Sequence, residues 1–88
     1  MKIKNGLKLR EVGGVNIVVA VGDMAARFKG VVRLNATGAF LWKKLEEGAD
    51  EAALTQALTE KYEVDEATAR ADAIAFLDMA RKADFIDE

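Results

Sequence analysis

The stretch from Val31 to Gly48, VVRLNATGAFLWKKLEEG, constrains the fold more than any other part of the chain. It passes from a β-branched run into a helical pattern with no loop between them. In Val31–Leu34, Val32 and Leu34 share one strand face, and Val31 and Arg33 share the other. Asn35 is a strong helix N-cap, because its side-chain oxygen accepts a backbone N–H from the first turn. Gly38, Leu41, Trp42 and Leu45 then recur on one arc at helical spacing, with Phe40 outside it. Gly48 supplies the helix stop. A strand that ends in Leu34 and a helix that begins at Asn35 must share one core.

The flanking segments extend this pattern. KLREV, GGV and NIVVAV read as a β-hairpin, in which Gly13-Gly14 supplies the positive φ of a tight turn. A third β segment follows in AARFKGVVRLN, where Lys29-Gly30 reads as a second turn in preference to a bulge at Gly30 inside one longer strand, with Val31–Leu34 as the last strand. Beyond Gly48, Asp50 is the expected N-cap of a second helix, with Ala53, Leu54, Ala57, Leu58 and Tyr62 as its apolar face. Asp65 is the expected N-cap of a third, with Ala69, Ala73, Phe76, Leu77 and Ala80 as its core stripe and Ile74 and Met79 on the flanks. The closing DFIDE returns Phe85 and Ile86 to the core. The expectation is a single α+β domain over residues 1–88. It is winged-helix-like, a three-stranded antiparallel sheet followed by three helices.

Chemistry is scarce. The chain has no Cys, so it has neither disulfides nor thiolate metal ligands, and no His, the commonest general base and metal ligand. GDMAARFKG is too sparse for a phosphate-binding loop. Thr37, Thr55, Thr59 and Thr68 have no His to activate them as nucleophiles. The carboxylates fall on helix surfaces and caps. These observations predict a binding protein rather than an enzyme, without cofactor or metal. MKIKNGLKLREVGG lacks the apolar core of a signal peptide, and no apolar run approaches the ~20 residues that span a bilayer. A cytoplasmic protein without a membrane partner is expected.

The net charge of −2 hides a division: residues 1–44 carry +7 and residues 45–88 carry −9. Such asymmetry points to a charged partner, or to a solvated surface with uneven helix composition.

Four stretches carry a resemblance to a known family. They are LNATGAFLWKKLEEG, ALTQALTEKYEVD, the A..D...FLD.A spacing of the third helix, and the hydrophobic end in DFID. Together they resemble the PqqD family, coenzyme PQQ synthesis protein D, whose domains are also precursor-peptide recognition elements. The resemblance implies a non-catalytic peptide chaperone. Such a protein holds the leader of a ribosomally made precursor and presents it to a modifying enzyme, often of the radical SAM type. It also implies that the leader adds as a strand beside the last strand of the sheet, in a groove shared with the third helix. Carried onto this sequence, the strand edge is Val31, Val32, Arg33 and Leu34, and the helix wall is Ala69, Asp72, Ala73, Phe76 and Ala80. Independently of the family, a short sheet has an edge whose free N–H and C=O groups accept an extended peptide. Arg27, Lys29 and Arg33 lie next to that edge and would favour acidic residues in the peptide.

Two other readings come from different classes. A winged-helix DNA binder needs cations on its recognition helix, and residues 65–88 carry seven acids against three bases, so no nucleic-acid partner is expected. A dimerisation module would use Phe40 and the hairpin as exposed apolar surface. The expected state is a monomer or weak homodimer.

Overall fold

The structure is a computed structural model that describes residues 1–28 and 31–87. The element order is β1 (Lys2–Ile3), β2 (Leu7–Val12), β3 (Val15–Ala20), α1 (Met24–Arg27), β4 (Val32–Leu34), α2 (Ala36–Glu46), α3 (Glu51–Tyr62), α4 (Glu66–Lys82) and β5 (Ile86–Asp87). Strands β2, β3 and β4 form an antiparallel sheet in that order, so β4 is an edge. The α+β architecture expected from the sequence is present.

The hairpin forms because Gly13 and Gly14 both take positive φ, 57° and 79°, as a turn matched to strand twist requires. Its register places Leu9 opposite Val18 and Arg10 opposite Ile17. In turn, Val18 faces Val32 and Ile17 faces Arg33. Leu7, Val18 and Leu34 therefore point into one core, together with Leu41, Trp42, Leu45, Leu54, Leu58, Phe76, Leu77 and Phe85. Trp42 is fully buried with its ring edge-on to Phe85, centroids 5.6 Å apart. Ala69, Ala73 and Ala80 have no exposed surface, so the α4 backbone packs closely against its neighbours.

All three expected caps are made. Asn35 Oδ1 accepts from the Gly38 N–H at 2.7 Å, Asp50 Oδ1 from Ala53 at 2.8 Å, and Asp65 Oδ1 from Thr68 at 2.8 Å. Phe85 and Ile86 are buried, as the apolar end of the chain implied.

Four details depart from the sequence reading. The AAR of the expected third β segment lies in the helical turn α1. The expected turn at Lys29-Gly30 is not among these departures, because it lies outside the described residues. Residues 2–3 and 86–87 pair as a second, two-stranded sheet that joins the two ends of the chain. On α3, Thr55 rather than Ala53 is buried, its hydroxyl donating to the Glu51 carbonyl at 2.8 Å. Tyr62 is 38% exposed and stands edge-on to Phe40 instead of entering the core.

Candidate peptide-binding cleft

The loop-free junction between β4 and α2 builds the site. Leu34 closes the strand, Asn35 caps the helix, and Ala36 is already helical. The cap holds Gly38 against the junction: a Cβ there would lie 3.2 Å from Asn35 Oδ1 and 3.4 Å from Leu34 Cβ. The missing side chain leaves room beside the strand.

That room opens into a cleft of about 370 Å³. One wall is Arg33, Leu34 and Asn35, continued by Thr37, Gly38 and Leu41 of α2. The other is Asp72, Ala75, Phe76 and Met79 of α4. The edge of β4 away from β3 has no strand partner among the described residues. An open strand edge therefore borders a cleft of mixed lining, with Leu34, Leu41, Phe76 and Met79 beside Asn35 and Thr37 and one charge of each sign in Arg33 and Asp72. Arg33 and Asp72 make no ion pair with each other among the described residues.

The structure brings together four of the residues expected from sequence: Arg33, Leu34, Asp72 and Phe76. Val31 is 58% exposed and Val32 half-buried, both lining a smaller hollow beside Phe28 and Phe85. Ala69, Ala73 and Ala80 are wholly buried and offer the cleft no surface. Arg27 sits on α1 with its guanidinium 3.6 Å from the Asp84 carboxylate, and it does not line the cleft. Lys29 lies outside the described residues.

The sequence reading missed Thr37, Gly38 and Leu41 as cleft residues on α2, and Ala75 and Met79 on α4. A signal for them exists. Positions 72, 75, 76 and 79 follow the i, i+3, i+4, i+7 rule and border the core stripe, with Phe76 in both. Most of the helix wall expected from sequence lay on the inner of these two stripes.

Among the described residues no group of His, Cys, Asp and Glu could hold a metal ion. No described helix is long and apolar enough to cross a membrane.

The family model of coenzyme PQQ synthesis protein D (PqqD) matches residues 17–86, from β3 through the cleft to β5. The chain belongs to the PqqD family. Two solved structures share the PqqD-like fold. One is TbiB1 in complex with the TbiA(beta) leader peptide, at 22% identity and a TM-score of 0.78, covering 99% of this chain and 95% of that one. The other is lasso peptide synthetase B1 complexed with the leader peptide, at 21% identity and a TM-score of 0.73, covering 92% of this chain and 89% of that one. At these identities the likeness establishes a common fold. No curated protein sequence matches the chain.

Proposed function

We propose that this PqqD-family chain is a non-catalytic binding element for the leader of a ribosomally made precursor peptide. It presents the attached core peptide to a modifying enzyme, for which the family resemblance suggests the radical SAM type. The observation that carries the reading is the unpaired edge of β4 directly beside the cleft between the β4–α2 junction and α4. An extended leader would add there as a fourth strand, its backbone satisfying the free N–H and C=O groups of β4. Alternate side chains would enter the cleft over Leu34, Leu41, Phe76 and Met79. Both structural neighbours are complexes with leader peptides, which supports the same role for this fold.

Preformed walls reduce the ordering cost of binding. Here the Asn35 cap and the absence of a loop fix the strand relative to the helix.

Ala75 tests this reading, because it lines the cleft yet is exposed and outside the core. A fluorescently labelled short peptide encoded beside the gene is titrated with wild type and Ala75→Arg. Saturable binding by wild type, weakened about tenfold or more by the bulky cation with the fold intact by circular dichroism, is expected. Equal binding by both proteins would place the peptide elsewhere.

A further inference from the structure

The back of the sheet does not follow the usual pattern of an antiparallel sheet with one solvated face, whose outward positions are polar. On β3 the outward residues are Val15, Ile17 and Val19, as their pairing with Val12, Arg10 and Lys8 shows. All three are half-buried, yet none packs against the core. Val12, on the same face, is 61% exposed. An apolar strip of β-branched side chains thus runs along the centre of a face on which, among the described residues, these side chains do not join the core.

Cations flank the strip. Arg10 and Arg33 both pair across the ladder with Ile17, so the three form one row, Arg10–Ile17–Arg33, and Lys8 stands opposite Val19. Lys8, Arg10 and Arg33 make no ion pair among the described residues. No carboxylate stands on this face of the three paired strands: Glu11, opposite Asn16, points to the other side. In a chain of net charge −2, three cations that make no ion pair among the described residues, around an apolar strip, suit a partner surface of opposite charge.

We infer that the back of the β2–β3–β4 sheet docks the peptide-modifying enzyme, through a protein surface on which carboxylates border an apolar patch. The inference rests on the leader-binding reading. It adds the second interface that presentation requires. The row that includes Arg33 ends at the edge where the leader would add, so leader side chains pointing outward would prolong the same face. The enzyme would then meet the sheet and its added strand as one continuous surface. Docking at the back leaves the cleft on the front free for the leader.

The test uses the enzyme encoded beside the gene as its probe, with the leader peptide measured in parallel. Lys8 and Arg10 lie on β2, across β3 from the leader edge, so Lys8→Glu/Arg10→Glu should leave leader affinity within about twofold of wild type. The same variant should weaken enzyme binding about tenfold or more, because it sets like charges against carboxylates. Ile17→Thr keeps a strand-forming side chain and should weaken enzyme binding without disturbing the leader. Wild-type binding to the enzyme should also decline with added salt. Enzyme affinity unchanged in both variants, or no enzyme binding by the wild-type leader complex, would overturn the inference. So would binding to phosphatidylglycerol vesicles or duplex DNA in place of the enzyme. Failure of wild type to bind the leader would instead remove the reading on which the inference rests.

Discussion

Asn35 acts on stability and on the site through one hydrogen bond. Its side chain meets an N–H that has no partner within the helix. Asn35→Ala should cost about 1 kcal/mol, read as a lower urea midpoint from the fluorescence of Trp42, the only Trp. Gly38→Ala would normally gain about 1 kcal/mol in a helix interior. Here the added Cβ would lie 3.2 Å from the capping oxygen, so no net gain is expected. A clear rise in midpoint would show that the cap yields without loss. Asp84 carries a different signal. It has positive φ, 62°, and its carboxylate accepts from Lys4 Nζ at 2.5 Å. That bond holds its pKa below the ordinary 3.8. The unfolded chain therefore takes up this proton at higher pH than the folded one. The stabilisation is complete above 3.8 and disappears as pH falls through the lower folded value. Asp84→Asn suits the same backbone conformation but removes the charge. It should be less stable than wild type at pH 6, and the gap should close in acid. A gap that stays constant down to pH 2 would assign the effect to something other than the ion pair.

At the scale of elements, legibility followed length and capping. Helices α2, α3 and α4 were readable because each combines a side-chain cap with several turns of apolar spacing. The hairpin was readable from Gly13-Gly14 between β-branched arms. The pair β1–β5 was not, because two residues give no period and their partners stand at opposite ends of the chain. Helix α1 was not, because MAAR has a single turn, no side-chain cap and no buried residue. The cleft was half legible: its strand wall follows from the junction, whereas its helix wall uses the stripe beside the core. The β1–β5 pair also seals the core. Lys4 N–H donates to the Phe85 carbonyl at 2.9 Å and Ala49 N–H to the Met1 carbonyl at 3.2 Å. Ile3 packs against the core opposite Ile86. Ile3→Ala should therefore cost about 1–2 kcal/mol, less than truncation of a fully buried side chain. An unchanged unfolding midpoint would mean that this sheet adds nothing to global stability.

Under the proposed function and the inference drawn from the back of the sheet, the whole molecule would divide its surfaces between tasks. The front of the sheet and the helices share one core, and among the described residues the edge of β4 has no strand partner and Lys8, Arg10 and Arg33 on the back of the sheet make no ion pair. Arg33 belongs to both the groove and the back. Charge at such an exposed position mainly steers encounter, so Arg33→Glu should weaken an acidic leader by only about 0–1 kcal/mol and reduce its salt dependence. In the proposed mode, backbone pairing would supply the larger, sequence-tolerant part of affinity. Strand addition makes a demand that no other binding mode makes: the outward amides of β4 acquire partners. Amide hydrogen exchange of the isotopically labelled chain, with and without the leader peptide, reads this directly. The account predicts slowed exchange and large shifts within residues 31–34, accompanied by shifts at Thr37, Gly38, Ala75 and Met79. Saturation by the leader with unchanged exchange at residues 31–34, and shifts confined to α3, would contradict it.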